Sequence, residues 1–459
     1  MEKMTVEEIL CATGGTLVEG NKKGQITDIT TDSRKAEEGM LFIPLQGPTF
    51  DGHEFIRAAF DCGAAAVLTQ KDIEPLVGKT IIRVTDTMQA LADIARFYKA
   101  KLSIPCVGIT GSVGKTTTKD MVASVLEKKY RTLKTHGNFN NEIGLPLTVF
   151  RLNRKHEMAV LEMGMSGFGE IHRLTSIAKP DVAVITNIGM SHIEKLGSQE
   201  GILKAKLEIT DFFDSQSTLI LNGDDPFLSR VRGEKAYHVM TYGIKDTSCD
   251  VTAKDIENLG AEGLRFTVVI GKEEYPAYVK VAGEHNVYNA LATVCVGQQY
   301  HIPMEDILSG IEEFELTKMR MDIKDLGAIT LINDCYNASP DSMKASLKVL
   351  SDMEGHKIAI LGDILEMGEF AEPAHYEIGE EAAKLGIDVL ITVGHNAKQI
   401  AAGAEKEGML DIRSFERTRD CLSYIRETLQ AGDTVLVKAS RGMRFEMICE
   451  TVEEKANEQ

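Results

Sequence analysis

Thr110-Gly111-Ser112-Val113-Gly114-Lys115-Thr116-Thr117-Thr118 follows the apolar run Cys106-Val107-Gly108-Ile109 and leads into a helical pattern. Glycines let a backbone wrap close to phosphate oxygens, and the amides that open a helix point at an anion. Lys115 in such a loop neutralises terminal phosphate charge, and the Thr116 hydroxyl is positioned to ligate magnesium. The strict form of the loop carries a glycine where Ile109 stands, so Gly111 must supply the tight turn. The segment Thr110 to Thr117 is expected to bind a nucleoside triphosphate.

Further polar groups follow at the ends of strand-like runs. Glu162-Met163-Gly164 closes one such run, and Asn187-Ile188-Gly189-Met190-Ser191-His192 follows the next. Ligands of parallel sheets gather at such strand ends. Lys204-Ala205-Lys206-Leu207-Glu208 lies on a helical stretch. Oxygen and imidazole groups from separate strand ends suit magnesium held against ATP. Gly283 to Ala290 opens a helix of small residues on which Asn286 and Asn289 share a face. Near the end, Lys438, Ser440 and Arg441 terminate a strand where anionic groups can meet them.

These groups need an α/β frame. From about residue 104, short β-branched runs alternate with helical stretches: Cys106–Ile109, Ala159–Leu161, Val182–Ile185 and Thr218–Leu221. That alternation predicts buried parallel strands. Thr267–Ile270 and Tyr278–Val281 flank a Gly-Lys-Glu-Glu turn and predict an antiparallel hairpin added to the sheet. A second series predicts strands at Ile329–Asn333, Lys357–Leu361, Val389–Val393 and Thr434–Lys438. The first hundred residues have their own signals, including a helix around Ala90–Ala100. At roughly 150 residues per domain, the length also suggests three domains. Boundaries are expected near 103 and 317.

The charge of −18, from 69 acidic and 51 basic residues, disfavours nonspecific nucleic-acid or anionic-membrane binding. Eight scattered cysteines without a Cys-x-x-Cys pair fit reduced thiols. The acidic first residues lack an apolar signal core, and no apolar run approaches the ~20 residues that span a bilayer. A cytoplasmic enzyme without membrane insertion is expected.

Read in order, Gly-Ile-Thr-Gly-Ser-Val-Gly-Lys-Thr-Thr from Gly108, Asn-Phe-Asn-Asn-Glu-Ile-Gly from Asn138, Glu-Met-Gly from Glu162, Asn-Ile-Gly-x-x-His from Asn187 and Ala-Lys-x-Glu-Ile from Ala205 resemble the Mur ligase family. The resemblance covers nearly the whole chain. It implies an N-terminal α/β UDP-substrate domain (1–103), a central P-loop-like mononucleotide-binding domain with a mostly parallel sheet (104–317), and a C-terminal Rossmann-like α/β domain (318–459). It further implies ATP and two magnesium ions held near Thr116, Glu162, His192 and Lys206, with Lys206 carbamylated. Asn286, Asn289, Arg320 (in Met-Arg where the family usually has Gly-Arg) and Asp334 are expected at the nucleotide.

Asp334-Cys335-Tyr336-Asn337-Ala338-Ser339-Pro340-Asp341-Ser342-Met343 separates members of the family. Its Asp-x-Tyr-Asn-Ala-x-Pro-x-Ser-Met form resembles the member that adds D-alanyl-D-alanine to UDP-N-acetylmuramoyl-tripeptide. The member that adds the third amino acid carries Tyr-Ala-His-Thr-Pro there and an Asp-Asn-Pro-Arg motif, and this chain has neither. The implied reaction makes an acyl phosphate from the tripeptide carboxylate, with Lys115, His192, Lys206 and Asn337 at the reacting groups. Ser33 and Arg34 are expected at the UDP diphosphate, and Asn138, Asn141, Tyr336, Asn337, Lys438, Ser440 and Arg441 at the other substrate groups. The family resemblance leaves diaminopimelate or lysine open as the third residue, and a monomer is expected. A sister amino-acid or glutamate ligase is one alternative. A P-loop binding protein or NTPase switch that makes no peptide bond is the other.

Overall fold

A computed structural model describes residues 1–74, 76–233 and 235–458. Three α/β units follow one another, each built on its own sheet. The first sheet has the order Thr16–Glu19, Thr80–Arg83, Ala66–Thr69, Met40–Phe42, Asp28–Thr30 and is parallel apart from its Thr16–Glu19 edge. Helix Thr87–Leu102 leads out of it. Asp86 caps the helix by accepting from the Met88 and Gln89 amides, and Ala90, Leu91, Ile94, Ala95 and Tyr98 form the buried stripe. The Tyr98 hydroxyl donates to the Leu152 carbonyl at 2.6 Å, tying this helix to the next unit.

The central sheet has nine strands. From one edge they are Thr132–Lys134, Met158–Glu162, Cys106–Thr110, Val182–Ile185, Thr218–Asn222, His238–Gly243 and Val251–Asn258, all parallel. Every residue of Cys106–Thr110, Met158–Glu162 and Val182–Ile185 is buried, which is why these strands read as continuous apolar runs. Cys106–Thr110 lies between them, and the chain visits one side of it before crossing to the other. That reversal places a crevice at the strand ends beside residues 111–114.

The expected hairpin is present with a tighter turn. Leu264–Ile270 pairs antiparallel with Glu273–Val279, and Ile270 stands opposite Glu273. Gly271, at φ +60°, and Lys272 alone make the turn, so Glu273 and Glu274 extend the strand. Two-residue turns with positive φ match the twist of paired strands. Strands Thr132–Lys134, His238–Gly243 and Val251–Asn258 were not expected. Their short or half-exposed patterns lack a clear apolar period.

The third sheet has the order Asp322–Asp325, Thr330–Asn333, Asp433–Lys438, His356–Gly362, Val389–Val393, Ile412–Phe415, and is parallel except at its first edge. No helix among the described residues is long and apolar enough to cross a membrane.

Candidate active site

The phosphate-loop segment joins strand Cys106–Thr110 to helix Lys115–Glu127. Gly111 has φ +151°, and a Cβ there would lie 1.8 Å from the Thr186 hydroxyl oxygen. At Gly114, φ is +85° and a Cβ would meet Asn289 Oδ1 at 2.8 Å. Both positions therefore exclude a side chain. Asn187 braces the loop: its carbonyl accepts from the Ser112 amide (3.1 Å) and its Oδ1 from the Val113 amide (2.9 Å). Lys115 folds back to donate to the Gly111 carbonyl at 2.8 Å, and burial lowers its pKa to about 8. Among the described residues no carboxylate pairs with it.

Beside the loop, Glu162 ends its strand 1% exposed. Its Oε2 accepts from the Thr116 hydroxyl at 3.0 Å and its Oε1 from the Asn140 amide at 2.8 Å. Lys206 is 2% exposed on helix Gln199–Leu207. Among the described residues no acceptor or carboxylate meets its amine. Burial, with the charge of Lys115 nearby, pushes its pKa well below the usual lysine range. Glu162, hydrogen-bonded but without a cation at ion-pair distance among the described residues, and the unpaired amine of Lys206 thus line one cavity. Such groups are costly unless a ligand completes them. The donor set fits magnesium, which takes few protein oxygens and shares the rest with phosphates and water. No group of three or more His, Cys, Asp or Glu side chains suited to a metal occurs among the described residues. His192, at φ +62°, lines the same cavity, with its Nδ1 against the Glu366 carboxylate. Burial lowers its pKa.

The cavity measures about 850 Å³ and is lined from two sides. Ser112 to Thr117, Asn138, Asn141, Glu162, His192, Lys206, Asn286 and Asn289 come from the central unit; Arg320, Asp334, Tyr336, Asn337, Lys438 and Arg441 come from beyond it. Thr110 and Gly111 shape the turn from behind. Arg320 stacks 4.2 Å from the Tyr336 ring centroid, Arg441 lies 5.8 Å from it, and the Arg320 Nε is buried without a partner. Asp334 is already engaged: it accepts from the Met321 amide (3.0 Å), the Ser346 hydroxyl (2.7 Å) and the Lys438 ammonium. Asn289 accepts from the Thr118 hydroxyl (3.1 Å) and donates to Asn286 (2.9 Å), which donates to the Ala282 carbonyl (2.8 Å). These asparagines pin the phosphate-loop helix from below.

Two groups of expected residues lie elsewhere. Ser33 and Arg34 are outside this cavity, where the Arg34 side chain is 85% exposed and held by Asp32. Ser440 lines a smaller neighbouring cavity. Asn222, Asp224, Asp225, Lys245, Tyr288 and Asp341, to which the sequence assigned no role, all line the main one. Asp224 accepts from the amides of Ile244 (2.7 Å), Lys245 (2.9 Å) and Asp246 (2.7 Å) and from the Tyr288 hydroxyl (2.9 Å). Asn222-Gly223-Asp224-Asp225-Pro226 at the end of strand Thr218–Asn222 was the available signal.

Three family models match in sequence order: Mur ligase family, catalytic domain, at residues 25–99; Mur ligase middle domain at 109–297; and Mur ligase, glutamate ligase domain, at 319–441. The chain is 42% identical to the UDP-N-acetylmuramoyl-tripeptide–D-alanyl-D-alanine ligase of Bacillus subtilis, covering 98% of both chains. It is 30% identical to the Escherichia coli protein of that name, covering 93% of both. A crystal structure of MurF from Acinetobacter baumannii superposes with a TM-score of 0.92 at 31% identity, covering 99% of both chains. MurF ligase from Thermotoga maritima in complex with ADP gives 0.84 at 28% identity, covering 94% of this chain and 98% of that one. On these matches, with the phosphate loop and its facing carboxylate in place, the chain belongs to the Mur ligase family.

Proposed function

We propose that the protein joins D-alanyl-D-alanine to UDP-N-acetylmuramoyl-tripeptide, converting ATP to ADP and phosphate and forming the pentapeptide precursor of peptidoglycan. The observation that carries this reading is the shared cavity, in which the phosphate loop faces the Asp334–Ser342 segment. A carboxylate oxygen of the tripeptide attacks the γ-phosphorus, ADP departs, and an acyl phosphate results. The dipeptide amine then adds to the acyl carbon, loses a proton, and the tetrahedral intermediate expels phosphate. No protein nucleophile is required. Lys115 and the amides that open helix Lys115–Glu127 offset the phosphate charge, while Arg320 and Arg441 bring further positive charge from the opposite wall. Asn337, which lines the cavity, is assigned to the junction of the two substrates.

Magnesium would be held by Thr116 and Glu162, and a second ion by His192 and carbamylated Lys206; the metals supply charge neutralisation at the phosphates. The neutral amine of Lys206 is suited to add to carbon dioxide and lose a proton. That step replaces an unpaired buried amine with an anion. Ser33 and Arg34 are assigned to the UDP diphosphate, with Arg34 exchanging Asp32 for phosphate. We divide the chain near residues 103 and 317, between the three sheets. A cytoplasmic location fits both nucleotide substrates, and a monomer suffices because one chain lines the whole cavity.

Phosphate release is the test, with ATP, UDP-linked tripeptide and D-alanyl-D-alanine each omitted in turn. Release is expected only when all three are present. Release that continues without the dipeptide would replace the ligase with a simple NTPase.

A further inference from the structure

The eight cysteines are scattered along the chain, yet folding brings two of them together. Cys335 follows strand Thr330–Asn333, and Cys449 lies 114 positions on, in helix Glu446–Glu458. The Cys449 thiol donates to the Cys335 sulfur, with the two sulfurs 3.9 Å apart. Both side chains belong to the apolar core of the third unit, at 1% and 3% exposure.

The hydrogen bond from Cys449 favours the thiolate of Cys335 and lowers its pKa, while the same bond and burial hold the Cys449 proton in place. A disulfide keeps its sulfurs about 2 Å apart, so a bond here draws the two together by about 1.9 Å. Cys449 is anchored: its amide donates to the Phe445 carbonyl at 3.2 Å, and Ile448 and Val452 are buried beside it. Cys335 stands outside helix and strand, with its amide 3.4 Å from Asn333 Oδ1, so its segment gives way first. Its two neighbours, Asp334 and Tyr336, both line the main cavity. Asp334 there holds the Met321 amide, the Ser346 hydroxyl and Lys438, and the Tyr336 ring carries Arg320.

We propose that Cys335 and Cys449 form a reversible disulfide under oxidation and that this bond weakens nucleotide binding. The oxidant is a hydroperoxide, small enough to reach core thiols through local openings. The Cys335 thiolate attacks a peroxide oxygen, the O–O bond breaks, and the departing hydroxide takes up the proton that Cys335 had released. The resulting sulfenic acid is attacked at sulfur by Cys449. The S–O bond breaks, and the second hydroxide leaves as water with the Cys449 proton. Two thiols are thereby oxidised to one disulfide while hydrogen peroxide is reduced to two waters. Disulfides in reducing compartments are commonly transient ones of this kind. The new bond draws Asp334 and Tyr336 away from their partners, and the wall opposite the phosphate loop shifts with them.

The test treats the full chain with hydrogen peroxide, caps the remaining thiols with N-ethylmaleimide and digests without reductant. Mass spectrometry is expected to show a peptide pair joined through Cys335 and Cys449, two hydrogens lighter than the separate peptides. Calorimetry on the treated protein should show ATP bound about tenfold more weakly, and dithiothreitol should restore both the thiols and the affinity. Cys449→Ala, or Cys449→Ser if the alanine variant does not fold, is expected to bind ATP as the untreated wild type does, before and after peroxide. Absence of the joined pair overturns the disulfide, and a joined pair with unchanged ATP affinity overturns its effect on binding. An equal loss of affinity in the Cys449 variant also overturns the proposal, because another thiol is then responsible. None of these outcomes depends on which amine is ligated, so the phosphate-release test of the ligase reading stands apart from them.

Discussion

Lys206 carries the most unusual chemistry in the molecule, an amine 2% exposed and unpaired among the described residues. If carbamylation completes it, Lys206→Ala loses at least about a hundredfold in turnover, and short carboxylic acids restore part of it; full activity in the variant would remove Lys206 from the site. Lys206→Met, which replaces the buried amine with hydrocarbon, is expected to raise the melting temperature of the unliganded protein, by about 1–3 kcal/mol of stability. His285 sets a pH dependence. Burial lowers its pKa from 6.5 to about 4, so the unfolded chain binds its proton first as pH falls. Stability from this group is intact above about 6.5 and declines between about 6.5 and 4. Denaturant unfolding followed across that window should show the decline, and His285→Gln should flatten it. At this scale the sequence was legible wherever a residue's placement follows from its neighbours in the chain: Lys115 and Thr116 open the helix after the loop, and Glu162 ends a strand beside it. It was not legible where a partner lies far away. Asp334 is occupied by Lys438, 104 positions on, and nothing local marks that pairing.

The elements work as a clamp around the loop. Gly111 and Gly114 lie against Thr186 and Asn289, so two neighbouring segments hold the loop in place. Gly111→Ala, with its Cβ 1.8 Å from the Thr186 hydroxyl, is expected to weaken ATP binding at least tenfold by calorimetry, and unchanged binding would show that the loop yields. Asn289→Ala leaves the Thr118 hydroxyl without its acceptor and the Asn286 Oδ1 without its donor. A loss of about 1–3 kcal/mol in unfolding free energy should follow. The buried parallel strands around the loop were readable because both faces are apolar. The strands His238–Gly243 and Val251–Asn258 were not, because half or more of the residues of each are not buried. Helix His285–Gln299 was readable as a helix; its asparagines line the cavity, and Asn289 also accepts from Thr118 on the loop helix.

Across the whole molecule, the cavity exists only because residues on both sides of position 317 meet. Glu366 reaches His192, and Asp341 packs so closely on Gly189 that a Cβ there would lie 2.2 Å from its carboxylate. A half-exposed His–carboxylate contact of this kind contributes up to about 1 kcal/mol, which bounds the effect of Glu366→Ala on a closed–open balance at about fivefold. Solution scattering should report the shift as a larger radius of gyration. The order of the three units was legible from the alternation of strand and helix signals, whereas their mutual placement depends on side chains that meet only after folding. The central claim is that the tripeptide carboxylate, and not water, attacks the γ-phosphorus. Turnover with that carboxylate labelled with oxygen-18, followed by mass spectrometry of the released phosphate, tests it most directly. One labelled oxygen in each phosphate is the predicted result; unlabelled phosphate would contradict the acyl-phosphate route.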